Sequence, residues 1–256
     1  MRMKTLTNAL LALFLISSLP VAATPREPVA LVLAGGGARG IAPVGVITAL
    51  EHMQIPVDAV AGTSMGALVG GLYAIGMDGA ELREVVEHID WKEAFEDSVD
   101  RDDAPQWRKS DDYDYPSSIS LAFKDGHASI PLGFVQGQQV RQMIKELMIE
   151  AEHIRDFDQL PTPYRGVATD IETGDAYIFG QGDIVTAMRA SMSLPGILAP
   201  VEHDDRLLVD GGMAMNIPVS VGRDMGAERL IVVDIGTPLK TREEITSVLG
   251  VADQLL

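Results

Sequence analysis

Cysteine is missing altogether from the 256 residues, which excludes a disulfide framework, a thiolate metal site and a cysteine nucleophile. Histidine is scarce, and the five (His52, His88, His127, His153, His203) are scattered without the short spacings of metal ligands. No zinc site is therefore expected. Positive charge is also in short supply, with 20 Lys and Arg against 37 Asp and Glu and a net charge of −17. Nucleic acid is thereby excluded as a partner, since binding it needs concentrated positive charge. Charge-driven adhesion to anionic lipid is excluded on the same ground, so any membrane contact has to rest on an apolar patch.

What the N-terminus does have is the three-part layout of a secretory leader. Arg2 and Lys4 precede an apolar run from about Leu10 to Leu19, and the small residues Val21-Ala22-Ala23 follow. The run is too short to span a bilayer comfortably. Residues 1–23 are therefore read as a signal peptide, with an uncleaved membrane anchor as the alternative. Residues 24–256 are read as one exported domain, in the periplasm or at the cell surface and beyond. Hydrophobic residues make up 46% and charged residues 22%, an ordinary balance for a globular domain of this length. The sequence ends inside a helical pattern, "TSVLGVADQLL", and reads as stopping short of its domain's end.

After the leader, short β-rich runs alternate with helical patterns, which predicts an α/β layered fold with a mostly parallel central sheet and helices on both faces. "VALVLA" (29–34) is apolar throughout, as a strand covered on both faces should be. A helix is expected from Gly40 to Met53, with Pro43 tolerated in its first turn. "VDAVAG" (57–62) is a second strand that runs into a helix of small residues. "DGAELREVVEHI" (78–89) reads as an amphipathic helix capped by Asp78. From Asp90 to Gly126 acidic residues mix with Trp91, Trp107, Tyr113 and Tyr115 without a clear period. This stretch reads as an insertion on the sheet, either a lipid-facing lid or aromatic packing that anchors it. A helix over 136–151, a strand pair in "YRGVATDI" and "DAYIFG", and a helix over 183–192 follow. Two strands, "RLLVDGG" (206–212) and "RLIVVDIG" (229–236), flank a helix from Pro218 to Met225.

Gly62-Thr63-Ser64-Met65-Gly66 is a G-x-S-x-G between an apolar strand and a helix. A sharp strand-to-helix turn exposes the serine hydroxyl, and a β-carbon at either glycine would collide with neighbouring backbone. The helix N-terminus favours the alkoxide that develops during attack. On the pentapeptide alone, Ser64 serves equally well as an ordinary helix cap. A nucleophilic serine needs a base. A Ser64–Asp170–His203 triad can be written, although His203 sits in "VEHDDRLL", the composition of a solvated turn. Asp210-Gly211-Gly212 is the better candidate: an apolar strand ends at an acid, where catalytic groups of open α/β sheets gather. An ordinary Asp-Gly turn is the plainer reading of the same residues.

Gly35-x-Gly37-x-x-Gly40 follows the first strand and matches the dinucleotide-binding fingerprint. Its backbone N–H groups can equally hold the oxyanion of an acyl transfer. A dinucleotide site wants an acid at the end of the second strand, but Asp58 stands at its start and the serine turn occupies its end. The oxyanion reading is preferred.

Read together, "GGGARG", "GTSMG" and "DGG" resemble the glycine-rich loop, nucleophile elbow and aspartate motif of the patatin-like phospholipases. The stretch "ATDIETGDAYIFGQGDIVTAMRASMSLPGILAPV" is similar to that family's bacterial members. The resemblance covers roughly residues 28–238. It implies a modified α/β-hydrolase fold and a serine esterase with Ser64 as nucleophile and Asp210 as base. Backbone N–H groups around Gly36, Gly37 and Arg39 would hold the oxyanion, and the Arg39 side chain would brace the loop. The implied substrates are phospholipids and lysophospholipids, met in transient contact with a membrane surface, with no metal or organic cofactor. A short-chain ester or thioester hydrolase and a catalytically silent lipid-binding module are the competing readings.

Overall fold

The computed structural model describes residues 26–95, 122–124, 127–129, 133–236, 241–243 and 245. The expected leader (1–23), Trp107, Tyr113, Tyr115 and the whole of the C-terminal "TSVLGVADQLL" lie outside the described residues.

Burial explains why the first strands read as unbroken apolar runs. Every residue of β1 (Val29–Leu33) and β2 (Ala59–Thr63) is buried, because helices cover both faces of the sheet. One face carries α1 (Pro43–His52), α2 (Met65–Ala74) and α3 (Gly79–His88), together with α5 (Gln138–Leu147) and α6 (Ile184–Ser191). The other face carries α8 (Val219–Asp224), whose Val221 packs on Ala61 of β2. The shorter helices are α4 (Trp91–Ala94) and α7 (Gly212–Met215). Among the described residues no helix is long and apolar enough to cross a membrane.

Local chemistry sets the helix ends. The expected first helix is two pieces: a 3-10 turn, Gly37–Ile41, and then α1, which starts at Pro43. That split puts proline at the first helical position, where its missing N–H costs nothing. Asp78 caps α3 through the N–H groups of Ala80 and Glu81, and Glu81 returns a bond to the Asp78 N–H. This reciprocal pairing satisfies two groups the helix cannot. Asp183 caps α6 by accepting the N–H and the hydroxyl of Thr186. Trp91 of the expected insertion is partly buried against the core, and its indole N–H donates to the Val86 carbonyl at 3.3 Å. It thus behaves as packing.

Among the described residues seven strands form the main sheet. β11 (Arg229–Val233), β1, β2 and β6 (Tyr164–Asp170) run parallel. β6 then pairs antiparallel with β7 (Ala176–Phe179) and β10 (Arg206–Asp210), and β10 with β9 (Val201–His203). The expected strand pair is the β6–β7 hairpin. The small strands β3 (Ala122–Lys124), β4 (His127–Ser129), β5 (Gly133–Val135) and β8 (Gly196–Leu198) pair outside this sheet.

The register along β6 places the site. β2 matches its residues 164–167 and β10 its residues 168–170, while β7 matches 166–169. Since β7 overlaps both, it occupies one edge of β6, and β2 and β10 must share the other. They meet there end to end: Thr63 lies opposite Val167 and Asp210 opposite Ala168. The residue after Thr63 and the last residue of β10 are forced together.

Helix α2 leaves the tip of β2 and is buried on nearly all sides, which is why its sequence is so rich in glycine. A β-carbon on Gly66 would stand 2.6 Å from the carbonyl oxygens of both Leu33 and Ala34. Those are backbone atoms of a central strand and cannot yield cheaply. Gly66→Ala is expected to lower unfolding free energy by about 3 kcal/mol, the upper end for overpacking a core. Urea denaturation measures this, and a loss within experimental error would contradict the close approach.

Candidate active site

The backbone at Ser64 is strained. Its φ of +54° and ψ of −125° lie in territory that L-residues avoid, at a cost on the order of 1–3 kcal/mol. The turn aims the side chain along the seam between β2 and β10. There Ser64 Oγ donates to Asp210 Oδ2 at 2.6 Å. Both residues are nearly closed to solvent, Ser64 being 7% and Asp210 1% exposed.

Asp210 is held on every side. Its Oδ1 accepts the Gly212 N–H at 2.8 Å, and its carbonyl accepts the Thr169 hydroxyl at 2.8 Å. Its own N–H donates to the Ser193 carbonyl at 2.9 Å. Burial pushes the carboxyl up to about 6, and the bonds from Ser64 and Gly212 restrain that rise. A carboxylate tuned towards neutrality, and touching a serine hydroxyl, is suited to take and return a proton near neutral pH. Gly211 lets the chain turn here, since a β-carbon would sit 2.1 Å from the Val167 carbonyl oxygen.

The glycine loop passes directly over the serine. A β-carbon on Gly35 would come within 2.9 Å of Ser64 Cβ. The Gly35 N–H donates to Asn216 Oδ1 at 3.0 Å, which ties the loop to the segment after Gly212. Gly37, with φ of +56°, opens the 3-10 turn that ends against Met65 at Gly40. The Arg39 N–H, expected among the oxyanion donors, donates instead to the Gly36 carbonyl at 3.3 Å and closes that turn. Met65 is the first residue of α2, so its N–H has no acceptor within the helix.

The alternative sites are not assembled. Asp170 is held by Arg206 at 2.7 Å. The His203 ring packs 5.8 Å from that of Tyr177 and 5.1 Å from that of Phe179, with Nε2 3.4 Å from Asp204. It lies opposite Arg206, four residues before Asp210, which is about 13 Å along a strand. Asp58, the acid a dinucleotide would need, is bound by Arg26 at 2.5 and 2.6 Å and by the Val29 N–H at 2.7 Å. The Arg26 guanidinium holds its carboxyl below the usual range. Among the described residues no group of three or more His, Asp or Glu could hold a metal ion.

The patatin-like phospholipase profile matches residues 31–222, which contain the loop, the serine turn and Asp210. The chain belongs to the patatin-like phospholipase family. It is 36% identical over 211 residues to a patatin-like phospholipase domain-containing protein of Caenorhabditis elegans, covering 82% of this chain and 14% of the relative. With lysophospholipase NTE1 of Scheffersomyces stipitis it shares 35% identity over 212 residues, 83% of this chain and 12% of that one. An uncharacterised NTE family protein of Mycobacterium tuberculosis is 31% identical over 219 residues, 86% of this chain and 52% of that one. The chain therefore spans about a seventh of the nematode relative and half of the mycobacterial one. Among solved structures, VipD from Legionella pneumophila aligns with a TM-score of 0.48 and 16% identity, over 77% of this chain and 48% of that one.

In this patatin-like protein three residues close to the site escaped the sequence reading. Ser191 accepts the Ser64 N–H at 2.8 Å, Asn216 holds the loop, and Thr169 bonds the Asp210 carbonyl. Each acts on main-chain atoms brought near by the register of β6, and no spacing in the sequence marks them. Met65 was within reach, because it follows the nucleophile position in a G-x-S-x-G turn.

Proposed function

We propose that the protein is a serine acyl hydrolase of the phospholipase A or lysophospholipase type. The reading rests on the 2.6 Å hydrogen bond from Ser64 Oγ to a buried Asp210 carboxylate at the mouth of a glycine loop. Family membership and a relative named as a lysophospholipase support the choice of lipid esters.

In the mechanism, Ser64 Oγ attacks the ester carbonyl carbon as its proton passes to Asp210 Oδ2. The carbonyl oxygen becomes an oxyanion, for which the expected donors are the N–H groups of Gly36 and Gly37, with that of Met65, open at the start of α2, taking the place expected of Arg39; loss of one such donor costs about 10²–10³ in rate. Arg39 contributes by closing the turn that presents the loop. Collapse of the tetrahedral species breaks the bond to the alcohol oxygen, which leaves with the proton from Asp210. Water then attacks the acyl-serine while giving a proton to Asp210. The second collapse releases the fatty acid and returns that proton to Ser64. Ester cleavage by this route draws only on groups of the chain and water. The leader-like N-terminus supports export, so that the lipid is met in the periplasm or outside the cell.

Fatty-acid release from a phosphatidylcholine and a lysophosphatidylcholine by the purified protein tests the reading. Wild type and His203→Ala should release acid at rates within about threefold of each other, as the ring packs on Tyr177 and Phe179 with its Nε2 towards Asp204. A large loss in His203→Ala would restore the triad. Activity confined to short-chain esters or thioesters would point to a small-ester hydrolase, and a folded protein inactive on every ester to a lipid-binding module.

A further inference from the structure

The tripeptide Ser191-Met192-Ser193, at the end of α6, touches both members of the dyad. The Ser191 hydroxyl accepts the Ser64 N–H at 2.8 Å and donates to the Val167 carbonyl of β6 at 2.5 Å. Two residues on, the Ser193 carbonyl accepts the Asp210 N–H at 2.9 Å, and the Ser191 carbonyl accepts the Gly211 N–H at 3.4 Å. One short segment thus bridges the seam where β2 and β10 meet. Ser191 and Ser193 are both fully buried. The segment is braced in turn by Arg189, which donates to Ser193 Oγ at 2.5 Å and to the carbonyls of Gln136 and Ala199 at 3.0 and 3.1 Å.

The chemistry of the Ser191 hydroxyl is fully determined by its neighbours. It has one proton, and the Val167 carbonyl can only accept, so the proton points there. A lone pair is then left facing Ser64, whose N–H can only donate. The hydroxyl converts a strand carbonyl into an acceptor for the nucleophile's amide. Ser64 needs that acceptor because its φ of +54° is not a conformation a serine holds unaided. The direction of Oγ follows from the backbone at Ser64, so the 2.6 Å contact with Asp210 depends on it.

We propose that Ser191 is a positioning residue, whose hydroxyl holds the Ser64 amide in the strained turn and so fixes the nucleophile against its base. The inference rests on the dyad reading above and adds a residue outside the three motifs that carry it. Ser191 is not a catalytic residue, since it meets neither the substrate nor the reacting atoms.

The test compares the full-length wild type with Ser191→Ala, Ser191→Cys and Val86→Ala. Val86, 6% exposed in α3, supplies a variant destabilised by lost packing away from the site. Two rates are read on each: kcat and KM for lysophosphatidylcholine, and the rate at which a fluorophosphonate labels Ser64 with loss of fluoride. Ser191→Ala should lower kcat and the labelling rate about 10²-fold, the scale of a misplacement near 1 Å, with KM within about threefold. Ser191→Cys keeps the volume but offers a poor acceptor. It should fall in the same direction, and it carries the comparison if the alanine variant does not fold. Val86→Ala should keep wild-type kcat and labelling when assayed well below its melting temperature. The proposal is overturned if folded Ser191 variants retain both rates within threefold, or if Val86→Ala loses as much. Labelling of Ser64 without release from any lipid would overturn the lipid reading and leave the labelling rates to decide on Ser191. A wild type that the probe does not label would overturn the dyad and the inference together.

Discussion

Ser64→Ala and Asp210→Asn should each lower fatty-acid release by roughly 10⁴-fold or more, the scale on which members of serine hydrolase triads fail. The two losses should not add, because nucleophile and base perform one proton transfer and either deletion stops it. The double variant is therefore expected to match the singles within a few fold. Asp210→Asn retains the volume, and its amide can still face Ser64 Oγ and the Gly212 N–H, so loss of rate would report loss of basicity. The pH dependence follows from the same carboxyl. Asp210 must be ionised to accept a proton, and burial pushes it up to about 6. Wild-type kcat/KM should therefore be flat above that pH and fall tenfold per pH unit well below it. At pH 5 about a tenth of the plateau should remain. A profile still flat at pH 5, or an Asn variant with near-wild-type rate, would remove Asp210 from the mechanism.

The same substitution should make the protein more stable, in a manner that depends on pH. A carboxyl at about 6 in the folded state and 3.8 in the ordinary state binds its proton more tightly when folded. Below 3.8 it is protonated in both states and exacts no penalty. As pH rises to about 6 the unfolded chain gives up the proton first, and folding stability is lost across that window. Above it the loss levels off at on the order of 3 kcal/mol. Asparagine bears no charge at any pH and escapes the penalty. Urea unfolding should place Asp210→Asn above wild type by up to that amount at pH 8, with the gap closing near pH 4. An equal gap at both pH values would assign it to packing. In the proposed mechanism the penalty also serves the rate: the desolvation that destabilises the carboxylate would make it basic enough to take a serine proton.

Much of this architecture could be read from the sequence, for reasons visible in single elements. β1 and β2 were legible because strands covered on both faces are apolar without alternation, and each ends at a glycine-bearing turn. Asp78 ahead of an amphipathic run announced α3, and the two runs separated by Glu172-Thr173-Gly174 announced the β6–β7 hairpin. The antiparallel direction of β10 was not legible, because a buried strand reads alike in either sense. Nor were the three-residue strands β8 and β9, which are too short to repeat the two-residue alternation of a strand. Among site residues, Ser64 and Asp210 stood out by the glycines beside them. Ser191 closes an apolar helix like any small polar residue, and only the fold reveals its contact with an amide 127 positions earlier.

The end-to-end meeting of β2 and β10 also bears on the order of assembly. The serine turn is local, since β2 and α2 are consecutive and can form early in folding. Asp210, to which Ser64 is hydrogen-bonded, is 146 residues further along the chain. Closing a loop of that length costs about 4 kcal/mol of chain entropy, and such distant pairings are made late. The strand carrying Asp210 meets Ser64 only through β6, with which both β10 and β2 pair. Until that happens Ser64 lacks the carboxylate that the proposed dyad assigns it, so on that reading a partly folded or newly made chain would carry the serine while being unable to use it.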